Sequence, residues 1–224
     1  MKFYSAISCK NLFIGYKKKI NEIPLNIEIP LYSWVGIIGE NGSGKSTFLK
    51  TLLGIVKPIS GNIQLHGKII KDFQKYVSYC PQDREIELSQ HMTGESLIQA
   101  SYGKKLGIPS FGRTFREKLR NVLKTTKSEK FSSIPFNKLS GGEKKKIYIS
   151  QSLMNDPKIL LLDEPLNHLD AMSKISILRS LRQSFSRKKF TLMIISHETQ
   201  EIKNQLDYLI EFGKEPIFRK ASDV

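Results

Sequence analysis

Apolar positions fall into short buried-type runs separated by stretches with helical spacing. Residues 7–14 and 25–29 have strand character. Residues 34–38 form an apolar run that stops at Gly39, as a buried strand would. A helix should start in the glycine-rich stretch that follows and run to about Gly54, because Phe48, Leu49, Leu52 and Leu53 recur on one face. Lys57-Pro58-Ile59-Ser60-Gly61 marks a turn. Residues 63–65 and 76–80 read as strands, the second closed by Pro81.

The middle of the chain has another texture. Residues 93–105 and 113–125 read as helices, with few β-branched runs, and suggest a helical subdomain inserted into an α/β core. After Asn137 the alternation resumes. Helices are expected over 140–154, 172–185 and 199–206, and strands over 159–163, 191–196 and, as the last, 208–212. Buried apolar strands alternating with helices imply a parallel sheet covered on both faces. Ligands of such sheets sit at the carboxyl ends of the strands.

Composition narrows the class. Hydrophobic residues make up 39% and charged residues 25%, as in soluble globular proteins rather than disordered ones. No apolar run approaches the roughly 20 residues of a spanning helix, and the start of the chain lacks a signal-peptide pattern, so a cytosolic protein is expected. The two cysteines, Cys9 and Cys80, have neither metal-ligand nor disulfide-framework spacing. The net charge of +15 raises nucleic-acid binding, but 28 of the 36 basic residues are lysine and they spread along the chain. Specific phosphate and base recognition favours arginine. A lysine-rich solvated surface is therefore the preferred reading, with no specific nucleic acid expected and attraction to acidic lipid as the secondary one.

Three motifs carry chemistry. Gly39-Glu40-Asn41-Gly42-Ser43-Gly44-Lys45-Ser46, followed by Thr47, fits the phosphate-loop pattern at every fixed position, between an expected strand and an expected helix. Its glycines let backbone N–H groups wrap phosphates, and the helix start adds its positive dipole end. Lys45 should reach the β- and γ-phosphates of ATP, and Ser46 should place a hydroxyl on Mg²⁺. The run Ile159-Leu160-Leu161-Leu162 ends in Asp163 and Glu164. Asp163 would hold Mg²⁺ through its water shell, and Glu164 would accept a proton from the attacking water. Leu139-Ser140-Gly141-Gly142-Glu143 is a capping box, which alone marks an ordinary helix start. It also makes a second anion-binding helix start, which one nucleotide could not readily share with the phosphate loop of the same chain, so a second protomer is suggested.

The order of these motifs, over nearly the whole chain, resembles the nucleotide-binding domain of ATP-binding cassette (ABC) transporters, whose signature motif Leu139–Glu143 resembles. The resemblance implies a phosphate-loop NTPase core with a mostly parallel sheet, an antiparallel β-subdomain and an inserted helical subdomain: about residues 1–82 and 155–224 for the core, about 83–154 for the helical part. It implies that Gln82 touches Mg²⁺ or the attacking water, that His197 contacts the γ-phosphate, that Asp170 communicates across a dimer, and that Tyr16, with Phe13 as rival, stacks on adenine. It further implies a head-to-tail dimer in which Ser140, Gly141, Gly142 and Glu143 of one copy meet the ATP of the other. Permease subunits and a substrate-binding protein are the implied partners, and a metal-ion or iron-chelate importer the implied setting.

Departures are few. Glu143 stands where many members have glutamine, and Lys144, Lys145 and Lys146 follow where many have arginines. A soluble cassette ATPase, in iron–sulfur cluster assembly or translation, stays open as the alternative function.

Overall fold

In the computed structural model, which describes residues 5–66, 76–82, 91–102, 112–187, 189–196 and 202–223, the alternating pattern at the start of the chain becomes an antiparallel sheet. β1 (Ser5–Phe13) lies between β2 (Leu25–Pro30) and β4 (Ser60–Leu65). In β2, buried Leu25, Ile27 and Ile29 alternate with exposed Asn26 and Glu28, the period that gives a sheet one dry face.

The second sheet has six strands in the order β5 (Val77–Cys80), β6 (Ile159–Asp163), β7 (Thr191–Ile195), β3 (Trp34–Ile38), β8 (Tyr208–Glu211), β9 (Ile217–Lys220). β3 runs parallel to β7 and β8, and β6 runs parallel to β7. Every residue of β6 and β7 is buried, which is why these strands read as unbroken apolar runs. Register fixes where they end: Ile195 pairs with both Ile37 and Asp163, and Glu211 pairs with Ile38. The carboxyl ends of β3, β6, β7 and β8 therefore share one edge. α1 (Lys45–Leu52) starts there and buries Phe48, Leu49 and Leu52, with the Phe48 ring 5.1 Å from that of Phe212. Each such side chain contributes about 2 kcal/mol on burial. Cys9 is sunk in this core, and desolvation pushes its thiol pKa up to about 12.

Residues 208–212 are not the last strand. β9 follows and pairs antiparallel with β8, its Phe218 ring stacked on Tyr208 at 5.2 Å. β9 is an edge strand of half-buried and exposed residues including Arg219 and Lys220, so it carries no apolar signal.

By compactness the chain divides into two units, Met1–Tyr79 with Lys158–Glu164 and Phe190–Val224, and Cys80–Pro157 with Pro165–Lys189. The second unit is helical. α4 (Gly141–Leu153) packs against α2 (Gly94–Ser101), α3 (Arg113–Thr126) and α5 (Ala171–Arg187). The helix expected over 93–105 stops earlier. Tyr102 is already extended, its ring 5.1 Å from Phe115, and residues 103–105 lie outside the described residues. Residues 199–201 of the helix expected over 199–206 also lie outside them.

Candidate functional site

In the first unit the glycine-rich stretch bridges β3 and α1. Gly39 (φ +143°) and Gly44 (φ +110°) take conformations that L side chains rarely adopt. A Cβ on Gly39 would come within 2.3 Å of the Phe212 carbonyl, and one on Gly44 within 2.8 Å of Ile20. Gly44 is the N-cap of α1 and offers no side-chain cap, so a ligand can meet the first N–H groups of the helix. Glu40, Asn41 and Gly42 are exposed, Ser46 is exposed, and Thr47 is half-buried.

Lys45 is only 6% exposed. Its ammonium donates 2.7 Å hydrogen bonds to the carbonyls of Gly39 and Glu40, folding the loop around its own cation. Burial lowers its pKa, and the carboxylates of Glu164 and then Asp163 pull in the opposite direction. The loop also buries the Ser43 Oγ without a hydrogen-bond partner, while the Ser43 N–H donates to the Glu40 carbonyl at 3.2 Å. A buried cation, an unsatisfied hydroxyl and an uncapped helix start together fit an oligophosphate.

Asp163 ends β6 and Glu164 follows, each 7% exposed. The Tyr79 hydroxyl donates to Asp163 Oδ2 at 3.0 Å. Glu164 sits in the left-handed region at φ 47°, and its N–H donates to the Ile195 carbonyl at 3.0 Å. Among the described residues no three His, Cys, Asp or Glu side chains form a metal cage. The oxygen donors present, the Ser46 hydroxyl and the Asp163 carboxylate, suit a hard cation such as Mg²⁺ that arrives with phosphates rather than one caged by protein alone.

Tyr16 is 66% exposed. The ring of its rival Phe13 carries the Lys19 ammonium 3.7 Å from its centroid, so one face of Phe13 is engaged. The turn bearing Tyr16 is tied down by Asn21, which sequence reasoning missed. The buried Asn21 amide donates to the carbonyls of Leu12 (3.0 Å) and Ile23 (2.7 Å), and its oxygen accepts from the Ile14 N–H at 3.0 Å. Nothing in the sequence distinguishes this asparagine from an ordinary turn residue.

In the second unit, Ser140 caps α4 and the capping box forms. The Glu143 carboxylate accepts from the Ser140 N–H and hydroxyl, both at 2.8 Å, and the Glu143 N–H donates back at 3.4 Å. Gly141 is exposed and Gly142 buried. A Cβ on Gly142 would lie 2.8 Å from the Ser173 Oγ. Ser173 is in turn held by Asp170, whose carboxylate accepts its N–H at 2.9 Å and its hydroxyl at 2.6 Å. Those bonds lower the Asp170 pKa, the hydroxyl most. The Lys145 ammonium donates to the Gln82 carbonyl. The sequence placed Lys145 only on a helix surface of uncertain chemistry. His197 lies outside the described residues.

Comparison with known proteins bears on the family and the fold. The family model described as ABC transporter matches residues 24–167. An iron(3+)-hydroxamate import ATP-binding protein of Bacillus subtilis is 30% identical, over 97% of this chain and 82% of that protein. A manganese transport system ATP-binding protein of Listeria innocua is 27% identical, over 93% and 87%. Among solved structures, the cbiO1 subunit of the Clostridium perfringens ABC transporter complex cbiONQ superposes with a TM-score of 0.87 at 24% identity, over 98% of this chain and 90% of that one. That last likeness speaks for the fold. Among the described residues no helix is long and apolar enough to cross a membrane.

Proposed function

Because the chain belongs to the ABC transporter family, as an ATP-binding and ATP-hydrolysing subunit, we propose that it powers uptake of a metal ion or an iron chelate. It does so as a Mg²⁺-dependent pair of identical chains, docked on permease subunits at the inner face of the cell membrane. The observation that carries the chemistry is Lys45, buried in its loop with its ammonium held by the carbonyls of Gly39 and Glu40. The names of the relatives, one an iron(3+)-hydroxamate import protein and another a manganese transport protein, support the cargo. They also favour the transporter over a soluble cassette.

On this reading Gly39, Glu40, Asn41, Gly42, Ser43 and Gly44 wrap the phosphates, joined by the first N–H groups of α1 at Ser46 and Thr47. Lys45 exchanges its two carbonyl partners for β- and γ-phosphate oxygens, a stronger charge-assisted pairing. Ser46 and Asp163 hold the metal, and Gln82 keeps the role expected of it toward metal or water. When bound, Mg²⁺ neutralises charge on the phosphate oxygens. Glu164 takes the proton of the attacking water, and His197 contacts the γ-phosphate. Tyr16 stacks on adenine. Ser140, Gly141, Gly142 and Glu143 of the second copy close over the nucleotide, and Asp170 relays its state between copies. ATP favours the closed pair because only that pair offers it both sets of contacts, and hydrolysis removes the preference. A substrate-binding protein delivers the cargo to the permease, and no specific nucleic acid takes part.

The test is affinity capture of the tagged chain from mild-detergent membranes of its host. Recovery with a polytopic membrane protein, and retention of iron chelate or divalent metal by that complex, supports the proposal. Recovery from the soluble fraction alone, with ribosomal or cluster-assembly proteins, overturns the transporter part.

A further inference from the structure

Tyr79 lies in β5, the strand next to β6 in the sheet, and its hydroxyl donates to Asp163 Oδ2 at 3.0 Å. In the sequence this tyrosine is only the lead-in to Pro81 and Gln82. Terminal carboxylate torsions are broad, so an aspartate at a strand end turns readily about its Cβ–Cγ bond unless a donor holds one oxygen. Here the donor is a phenol on a paired strand, and its anchor is as rigid as the sheet. We propose that Tyr79 is a positioning residue for Asp163, setting the carboxylate orientation that receives the metal of Mg·ATP. The inference rests on the reading of Asp163 as a metal-binding residue. A hydrogen bond to a charged acceptor is worth enough to shift occupancy severalfold, and a preset carboxylate loses less freedom when the metal arrives.

Satisfying a buried carboxylate for stability alone would produce the same contact, so the experiment must read metal binding. Wild type, Tyr79→Phe, Tyr79→Leu and Asp163→Asn are compared as folded proteins, matched by thermal denaturation. Bound Mn²⁺ in the presence of ATP is counted by electron paramagnetic resonance. Affinity for a fluorescent ATP analogue is measured separately in EDTA. Tyr79→Phe should raise the free Mn²⁺ needed for half-saturation about tenfold, and leave metal-free nucleotide affinity within about twofold of wild type. Asp163→Asn should raise the Mn²⁺ requirement further, and Tyr79→Leu no more than Tyr79→Phe. An unchanged midpoint in Tyr79→Phe beside a shifted one in Asp163→Asn overturns the role of Tyr79 and leaves that of Asp163 standing. No shift in either variant overturns both. An equal loss of affinity in EDTA, or a shift in Tyr79→Leu alone, marks packing as the cause and overturns the proposal.

Discussion

The N–H of Glu164 donates to the carbonyl of Ile195 at 3.0 Å, and this bond across the ends of two parallel strands accompanies a left-handed backbone at Glu164 (φ 47°). A non-glycine residue in that region costs about 1–3 kcal/mol unless its surroundings enforce it. A left-handed residue after a strand departs from the alternation that a continuing strand would impose on its side chain. Glu164→Asp tests whether that placement matters. Aspartate tolerates this backbone better than most residues, but it withdraws the carboxylate by one methylene. Turnover should fall about 100-fold, with the thermal midpoint held or raised, as measured by phosphate release beside a melting curve.

Lys45 predicts a pH dependence. Its pKa is lowered by burial, so the unfolded chain holds this proton more tightly than the folded one. Its burial therefore disfavours the folded state at neutral pH, and that penalty fades as pH rises from the lowered value toward 10.5. Bound phosphates favour the charged form, so ATP affinity should fall as pH climbs through the lowered pKa. Titration calorimetry from neutral to alkaline pH should show the decline in wild type. It should be absent in Lys45→Arg, which stays charged.

Ser140 has a structural duty besides any contact with nucleotide. As N-cap of α4 it accepts from the Glu143 N–H and donates to the Glu143 carboxylate. Ser140→Ala should cost about 1 kcal/mol of stability in urea denaturation. Ser140→Asn, an equally good cap, should recover that stability without recovering turnover if the hydroxyl also serves catalysis.

Asn21 organises the turn that presents Tyr16. Replacing it with alanine strips partners from the Ile14 N–H and from the Leu12 and Ile23 carbonyls, at a cost of about 1–3 kcal/mol. On the proposed reading of Tyr16 as the adenine-stacking residue, the Michaelis constant for ATP should rise while the turnover number holds. Steady-state kinetics on Asn21→Ala and Tyr16→Ala should give the same pattern.

What the sequence revealed and what it hid have a common physical origin. The placement of Lys45 at a helix start and of Asp163 at a strand end was legible because a loop pattern with fixed spacing and an apolar run ending in acid are local signals. The parallel strands were legible because β6 and β7 are buried on both faces. β9 was not, because an edge strand needs no apolar run. Tyr79, Asn21 and Ser173 were not, because each acts through a hydrogen bond whose meaning depends on the partner. For Tyr79 that partner is 84 residues away. The early stop of α2 at Tyr102 was hidden for the same reason, since the packing of its ring on Phe115 is a tertiary contact.

Phosphate release by wild type and Glu164→Gln, with bound ATP counted on the same samples, tests the central claim most directly. The variant keeps the size and hydrogen-bonding reach of the side chain but cannot accept the proton. Wild type should turn over repeatedly in Mg·ATP, and Glu164→Gln should be slowed about 100-fold or more while still holding ATP. Turnover by the variant at the wild-type rate would contradict the assignment of Glu164 as the base and, with it, this account of the site.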